Sequence, residues 1–247
     1  MQEIPFPTPR LFVEQRIVPG ARIDLPEAAA HHVARVLRLR AGDSCVLFDG
    51  SGGEYTARIA AIGRGGVGAE VLEFSAVERE SPLHVTLLQG LSARDRMDLT
   101  VQKSAELGMA AIQPTASEKS VAKLKGERSE SRVEHWRRVA IAACEQCGRN
   151  RIPLIHAPLP LASYRAPAET LKLLLAPGAR LRLREVGISA DRPIVLAVGP
   201  EAGFGASEDA ALIAAGFVPI WFGPRLLRTE TAGPAALAAL NAFFGDM

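Results

Sequence analysis

Long apolar stretches are missing from this 247-residue sequence. No run reaches the ~18 residues that a membrane-crossing helix requires. The opening residues, MQEIPFPTPR, lack the charged-then-apolar order of a signal peptide. Cysteine is also scarce: the chain has three, an odd number, which favours reduced thiols and predicts a cytoplasmic protein. The net charge is only +2, so overall charge does not indicate a nucleic-acid partner. We expect no membrane partner.

Residue types that bind metals or act as nucleophiles form no recognisable site. Cys144 and Cys147 have CxxC spacing near the end of a predicted helix, and with the distant Cys45 they cannot complete a four-sulfur zinc site. We expect these thiols to be buried and inert. His31 and His32 are adjacent on a predicted helix, where neighbouring side chains point ~100° apart and do not readily share an ion. We therefore expect no bound metal. The sequence contains no GxSxG motif, so we do not expect a serine hydrolase.

The strongest local pattern is a pair of glycine loops between residues 193 and 232. Two apolar runs, residues 193–198 and 217–222, are each followed by a glycine and a proline. Short apolar runs bounded in this way predict buried parallel strands. Residues 207–216 between them predict a helix that ends at a glycine. Because ligands of open α/β sheets bind outside the carboxyl ends of the strands, we expect both loops to line one site.

These loops differ from common nucleotide sites. No Gly-Lys-Ser/Thr follows the glycines, which excludes a phosphate-binding P-loop. The GxxxGxG spacing of residues 199–205 does not fit a dinucleotide fingerprint, so a dinucleotide-dependent enzyme is disfavoured. Arg225, Arg228 and Glu230 follow the second loop. They fit either a surface ion network or a cluster that reaches an anionic substrate.

The two parts of the chain have different patterns. Short strands and tight turns in the first part are typical of a small β-barrel; the predicted strands are residues 10–13, 21–25, 44–48, 54–62 and 69–77, with a helix at 26–39. After a linker at residues 78–82, strands alternate with helices, which predicts a parallel sheet with helices on both faces. The further strands are 84–90, 111–114 and 171–176, and the further helices are 93–108, 132–148 and 231–244. Residues 117–131 are predicted as a loop, and residues 155–168 carry no clear prediction.

The loop sequences GPEAGF (199–204) and FGPRLLRTETA (222–232) resemble the signature loops of the SPOUT methyltransferases, and more specifically those of the RsmE family. Five further segments resemble that family in the same order, so the resemblance spans nearly the whole chain. They are PRLFV (9–13), HHVARVLRLRAGD (31–43), LFDGSGGEY (47–55), DRMDLTVQKSAELG (95–108) and EQCGRNRIP (145–153).

The resemblance implies an α/β protein with two domains. A small PUA-like RNA-binding β-barrel at residues 1–78 precedes a C-terminal SPOUT trefoil-knot methyltransferase domain at residues 79–247. The family implies S-adenosylmethionine as cofactor, a homodimer, and methylation of N3 of a uridine in 16S ribosomal RNA of the small ribosomal subunit. The knot rests on the resemblance alone, since chain-crossing rules make knots a poor expectation from physics.

Three residues depart from the family pattern. Ala202 stands where a second glycine is usual, and we expect it to tighten the cofactor pocket. Gly205 stands where a serine or threonine commonly caps a helix, and Glu208 can still complete half of a capping box. Pro234 is acceptable in the first turn of the last helix if Thr231 is the N-cap.

S-adenosylmethionine carries no phosphate, so its site needs an apolar adenine slot and backbone hydrogen bonds rather than a lysine. The residues expected to bind it are Leu175, Ala176, Pro177, Gly199, Pro200, Glu201, Gly203, Phe222, Gly223, Leu226, Leu227, Arg228 and Thr229. Arg228 above all, and Arg225, are expected to stabilise charge on the uracil carbonyl oxygens. Glu201 and Glu230 are both candidates for the base, with water or a group from the second subunit as alternatives.

Basic residues cluster locally although the chain is nearly neutral. Those expected to contact RNA are Arg10, His32, Arg35, Arg38, Arg40, Lys103, Arg149 and Arg151. Their plainest interpretation is a solvated surface, and their functional interpretation is an RNA-binding face whose affinity falls with salt. A non-catalytic RNA-binding ribosome assembly factor with the same fold is the alternative to a methyltransferase. The two intact glycine loops favour catalysis.

Overall fold

The computed structural model describes residues 8–63, 66–120 and 127–247. The chain divides into two compact units: unit 1 comprises Met1–Glu80 and Cys144–Ile152, and unit 2 comprises Ser81–Ala143 and Pro153–Met247. The segment 144–152 therefore belongs to unit 1 although it lies far along the chain, and no sequence pattern pointed to this arrangement. None of the helices in the described ranges is long and apolar enough to cross a membrane.

Unit 1 is built on a mixed five-stranded sheet. Its strands are β1 (Arg10–Phe12), β2 (Arg22–Asp24), β3 (Ser44–Phe48), β4 (Glu54–Gly63) and β5 (Gly66–Ser75). Their order is β1-β3-β4-β5-β2, with β1 parallel to β3 and the other pairs antiparallel. Buried side chains such as Leu47, Ala57 and Val71 form its core. The short strands predicted for this region are confirmed.

The helix predicted at residues 26–39 changes its geometry partway. The α-helix α1 covers Glu27–His31, and a π-helical segment follows at His32–Leu37. The N–H of Arg38 bonds to the carbonyl of Val33, five residues back, as in a π-helix. Arg38 then adopts a left-handed φ of 54°, which ends the helix. The prediction of one regular helix to residue 39 is therefore wrong.

Charged side chains lie in the interior of unit 1. Arg10 is 9% exposed and forms an ion pair with Glu54, and its Nη2 donates to Asn150 Oδ1 at 2.5 Å. Arg79 pairs with the same Glu54 carboxylate at 2.9 Å. Burial alone would raise the pKa of Glu54, but hydrogen bonds from Arg79 and Arg10 outweigh burial and hold that pKa below its ordinary value. Asn150 is thus bonded to an arginine of strand β1.

Unit 2 contains an eight-stranded sheet. Its strands are β6 (Val85–Gly90), β7 (Ala111–Ala116), β8 (Leu154–Ile155), β9 (Leu159–Pro160), β10 (Leu171–Leu175), β11 (Leu181–Arg182), β12 (Ile194–Val198) and β13 (Val218–Trp221). The order is β11-β13-β10-β12-β6-β7-β8, and β9 also pairs with β7. Its strand pairings are all parallel, which confirms the parallel α/β prediction. All five residues of β12 are buried, as expected for a central parallel strand.

Four longer helices occur in the described part of the chain. They are α2 (Arg94–Glu106), α3 (Glu127–Cys147), α4 (Ala206–Ala214) and α5 (Thr229–Phe244). Because α3 begins at Glu127, residues 127–131 are helical and the loop predicted there is wrong. Polar composition indicates solvent exposure and does not by itself exclude a helix. Residues 121–126 of that predicted loop lie outside the described residues.

The last helix, α5, starts earlier than predicted. Arg228 is its N-cap, because the N–H groups of Thr231 and Ala232 bond to the Arg228 carbonyl at 2.9 and 2.8 Å. Thr231 is therefore not the N-cap, and the expectation that Pro234 lies in the first turn of this helix is wrong. Pro234 has no N–H to offer the carbonyl of Glu230, four residues back, so that carbonyl lacks its usual helical partner.

Candidate active site

Three loops of unit 2 leave neighbouring strands at the same edge of the sheet. Strands β13, β10 and β12 lie side by side. Strand β10 leads into residues 176–179, β12 into the first glycine loop (residues 199–205), and β13 into the second glycine loop (residues 222–228). Because parallel strands all end at one edge, these loops gather where ligands of α/β sheets bind.

The three loops enclose a pocket of about 620 Å³. It is lined by Leu175, Ala176, Pro177, Val198, Gly199, Pro200, Glu201, Ala202, Gly203, Trp221, Phe222, Gly223, Pro224, Arg225, Leu226, Leu227, Thr229 and Ala232. Every residue predicted to bind the cofactor lies on this lining except Arg228. The lining is largely apolar, and its volume suits a small organic ligand.

Four lining residues have no counterpart in the prediction. They are Val198, Trp221, Pro224 and Ala232. The first three are direct neighbours of predicted glycines or of Phe222, and Ala232 lies one helical turn after Thr229. Sequence proximity to the glycine loops is therefore a signal that would have found them.

Close backbone contacts fix the shape of the first glycine loop. A Cβ atom on Gly199 would lie 2.9 Å from Gly203 Cα and from the nitrogen of Phe204, so a larger residue does not fit there. At the end of β6, a Cβ atom on Gly90 would lie 2.4 Å from the nitrogen of Pro200. The loop is thus packed backbone to backbone against the sheet.

The departures Ala202 and Gly205 both lie on this first loop. Ala202 lines the pocket with an exposed side chain. Gly205 is the N-cap of α4, and its N–H donates to Glu208 Oε2 at 2.8 Å, which confirms the predicted half of a capping box. Helix α4 therefore starts without a capping hydroxyl.

Glu201 is held firmly on the pocket wall. Its Oε1 accepts the N–H of Ala93 at 3.0 Å and pairs with Arg96 at 3.1 Å. Ala93 is the N-cap of α2, so the carboxylate lies at the positive end of that helix. The other oxygen, Oε2, is buried and has no hydrogen-bond partner among the described residues. It can therefore accept a hydrogen bond from a ligand.

Arg228 and Glu230 flank the start of α5 and differ in exposure. The Arg228 side chain is 79% exposed and that of Glu230 is 10% exposed, and the two lie 4.0 Å apart. Glu230 Oε2 is buried, without a hydrogen-bond partner in the described ranges. An ion pair this long and this exposed is weak. The guanidinium of Arg228 therefore remains available to a molecule that arrives from solvent.

A second groove of about 620 Å³ lies against α4. Its charged residues are already engaged: Lys172 and Arg165 donate to backbone carbonyls, and Glu118 and Glu208 accept hydrogen bonds from the start of α4 or the residues beside it. Within the described residues, no buried polar atom without a partner lies on this groove. The pocket at the strand ends, whose lining residue Glu201 carries a buried oxygen without a partner among the described residues, is the better candidate.

The residues predicted to bind RNA differ in exposure. Arg10 and Arg149 are 9% and 4% exposed, and Arg149 pairs with Glu80 at 2.6 Å. For these two the prediction needs correction, because a guanidinium that is buried and paired with a carboxylate does not face RNA. The exposed members of the set are Arg35, Arg38, Arg40 and Arg151, and the half-buried ones are His32 and Lys103.

The three cysteines are free thiols: Cys45 and Cys144 are buried and Cys147 is half-buried. Burial raises the pKa of Cys45 to about 12. A hydrogen bond with Cys147, together with burial, raises the pKa of Cys144. Both buried thiols stay protonated at neutral pH, which fits the prediction for Cys144. The prediction that Cys147 is buried is wrong, because its thiol is half-buried. In the described ranges, no three His, Cys, Asp or Glu side chains are grouped to hold a metal ion.

Two family profiles match this sequence. One, described as an RNA methyltransferase domain, matches residues 79–241. The other, described as an RNA methyltransferase PUA domain, matches residues 25–72. The first match alone spans more than half of the chain.

Similar proteins cover nearly the full chain. The ribosomal RNA small subunit methyltransferase E of Buchnera aphidicola (from Acyrthosiphon pisum) is 32% identical over 96% of this chain and 94% of the relative. A crystal structure of a ribosomal RNA small subunit methyltransferase E from Neisseria gonorrhoeae, bound to S-adenosyl methionine, is 37% identical with a TM-score of 0.90, and covers 97% of this chain and 99% of that one. A structure of a Legionella pneumophila protein in complex with the bound cofactor SAM is 38% identical with a TM-score of 0.93 at the same coverage.

Proposed function

This chain belongs to the RsmE family of ribosomal RNA small subunit methyltransferases, and we propose that the pocket between its two glycine loops is where it transfers a methyl group from S-adenosylmethionine to N3 of a uridine. Methylation of 16S ribosomal RNA with this cofactor is the activity of the family; the site and the acceptor atom are the proposal. One observation supports it most. Residues of separate loops, identified from sequence as cofactor ligands, line a single pocket with only Arg228 outside.

The pocket fits S-adenosylmethionine in volume and in chemistry. Its 620 Å³ and apolar walls suit an adenosine-sized ligand. The residues that line it in the described chain include no lysine, in keeping with a cofactor that carries no phosphate. Glu201 Oε2 offers a buried acceptor for an N–H of a cationic ligand. When bound, the cofactor supplies a methyl group that is already activated by a positive sulfonium.

Arg228 is the principal electrostatic residue in this proposal. Methylation at N3 requires that the N3 proton leave, which spreads negative charge over the two uracil carbonyl oxygens. A guanidinium near these oxygens lowers the energy of that anion. Arg228 is 79% exposed at the start of α5, where it can meet an incoming base. Arg225, exposed on the pocket lining, is the second cation.

Glu230 is the less engaged of the two candidate bases, although Glu201 and not Glu230 lines the pocket. One oxygen of Glu201 is already shared by Arg96 and Ala93. Glu230 makes only the 4.0 Å contact with Arg228, and its Oε2 has no partner in the described part of the chain. A base must reach the N3 proton directly or through one water. Water alone, or a group from the second subunit, is the alternative.

Methyl transfer with identification of the nucleoside tests this proposal. The protein is incubated with labelled S-adenosylmethionine and small ribosomal subunits from cells that lack this methylation, and the RNA is then digested. Labelled 3-methyluridine is the expected product. A different labelled nucleoside would refute the acceptor atom. Cofactor binding without any labelled product would support the non-catalytic assembly factor instead, and no cofactor binding would refute the site.

We further propose that the chain acts as a homodimer in the cytoplasm, as the family resemblance implies. On the same basis, we propose a domain boundary between residues 78 and 79 and a knotted C-terminal domain. RNA binds through the exposed basic residues and not through Arg10 or Arg149, whose charges are buried.

A further inference from the structure

A buried glutamine links the two glycine loops. Gln89, on strand β6, is fully buried, and its Nε2 donates to the hydroxyl of Thr229 at 2.8 Å. The Thr229 hydroxyl donates in turn to the carbonyl of Gly199 at 2.7 Å. Thr229 directly follows the second glycine loop, and Gly199 begins the first. Two consecutive hydrogen bonds therefore connect the sheet to both walls of the pocket.

Only one arrangement of hydrogens satisfies these contacts. The carbonyl of Gly199 can only accept, so the single hydroxyl proton of Thr229 is committed to it. Thr229 must then accept from Gln89, whose amide nitrogen also donates to the carbonyl of Gly90 at 3.1 Å. An amide turned the other way would place its oxygen against that carbonyl oxygen. Position 89 therefore requires a side chain with two N–H donors.

The glutamine is fixed on the sheet side but does not line the pocket. The hydroxyl of Thr115, on the neighbouring strand β7, donates to the main-chain carbonyl of Gln89 at 3.3 Å, whereas the side-chain Oε1 of Gln89 is buried without a hydrogen-bond partner among the described residues. Gly90, the next residue, packs against the first glycine loop with no room for a Cβ atom. Among the residues that line the pocket, Thr229 is present and Gln89 is absent. Any effect of Gln89 on a ligand must act through its partners.

We propose that Gln89 is a positioning residue that sets the separation of the two glycine loops through the Thr229 hydroxyl. This inference rests on the proposed function, since the separation of the loops matters only if the pocket between them binds the cofactor. Without the amide, the Thr229 hydroxyl loses the donor that orients it, and the bond between the loops weakens. Cofactor affinity then falls, while the reacting groups at Arg228 and Glu230 are unchanged.

The chain offers a matched control for this test. Gln113, on strand β7, is also buried, at 6% exposure. Its Nε2 donates to the carbonyl of the next residue, Pro114, at 3.0 Å and to that of Ala157 at 2.9 Å. Gln113 contacts neither glycine loop through these bonds. Gln113→Met therefore removes the same group from the same kind of environment as Gln89→Met.

The experiment measures S-adenosylmethionine binding by calorimetry, kcat and KM by methyl transfer, and thermal melting. Removal of a buried hydrogen-bond partner predicts about tenfold weaker binding for Gln89→Met and for Thr229→Val. The double variant should lose about tenfold and not about a hundredfold, because the two residues act in one relay. Thr229→Ser should recover most of the loss, and kcat at saturating cofactor should change less than KM in Gln89→Met.

Three results would overturn the inference: binding by Gln89→Met within about twofold of wild type, an equal loss in Gln113→Met, or multiplied losses in the double variant. If Gln89→Met does not fold, the comparison of Thr229→Val with Thr229→Ser decides whether the hydroxyl governs affinity. Failure of the wild-type protein to bind the cofactor at all would refute the proposed function, a result distinct from the other three.

Discussion

Replacement of Gly90 by alanine should displace the first glycine loop. The added Cβ would lie 2.4 Å from the nitrogen of Pro200 and 2.9 Å from the carbonyl carbon of Gly199. Both atoms belong to the backbone, so rotation of a side chain cannot relieve the contact. Because ordinary van der Waals contact begins at 3.4 Å, the loop or the strand must move by about 1 Å.

This displacement affects stability and catalysis to different extents. Overpacking of a well-packed interior costs roughly 1–3 kcal/mol of the free energy of unfolding. Misplacement by about 1 Å of groups that orient a reaction lowers the rate on the order of a hundredfold. Since Gly199 and Pro200 line the pocket, we expect kcat/KM to fall about a hundredfold in a protein that still folds.

Methyl transfer and cofactor titration, with melting temperature as the folding check, measure this effect. Trp221 lines the pocket, so its fluorescence should report binding, whereas the other tryptophan, Trp136, is 3% exposed and off the lining. Gly187→Ala is the control, because its Cβ meets no atom within 4 Å. Activity and binding of Gly90→Ala within about twofold of wild type would refute the packing argument, as would an equal loss in Gly187→Ala.

Three further predictions concern charge. Arg228→Ala should lower kcat about a hundredfold with little change in the KM for the cofactor, and near-normal turnover at saturating cofactor and RNA would exclude the proposed role. The pKa of Glu54 lies below its ordinary 4.5, so its ion pairs stabilise the fold above that pH and are lost as pH falls through the lowered pKa. Melting curves against pH should show this loss in wild type, whereas an equally steep loss in Glu54→Gln would assign it to other groups. Removal of exposed arginines should weaken RNA binding and reduce its salt dependence by about one unit of slope per contact; an unchanged slope would contradict this for Arg35, Arg38 and Arg40.

The pocket was predictable because its signals are local. Glycine and proline after two apolar runs mark both loops, and the rule that parallel strands end at one edge brings them together. Gln89 was not predictable in this way. It meets Thr229 across 140 positions of the chain, and Arg10 meets Asn150 across the same separation. Such hydrogen bonds depend on the tertiary fold and leave no periodic pattern in the sequence.

Charge and capping preferences were less reliable guides. An arginine in a basic segment carries no mark of whether a carboxylate will bury it, so Arg149 could not be told apart from Arg38. Thr231 is a better N-cap residue type than Arg228. The structure nevertheless starts α5 at Thr229, without a side-chain capping bond, and the Thr229 hydroxyl bonds to Gly199 instead.

Unit 1 is completed by a segment that the ribosome makes late. Residues up to Glu80 emerge first, and Cys144–Ile152 follow only after Ser81–Ala143 have been synthesised. Until then Arg10 lacks its Asn150 partner. Joining the two parts closes a long loop, which carries an entropic cost and slows folding. The N-terminal part of unit 1 therefore cannot finish folding until Ile152 has been made, and a fragment that ends at Glu80 would expose or leave unpaired groups that the full chain buries.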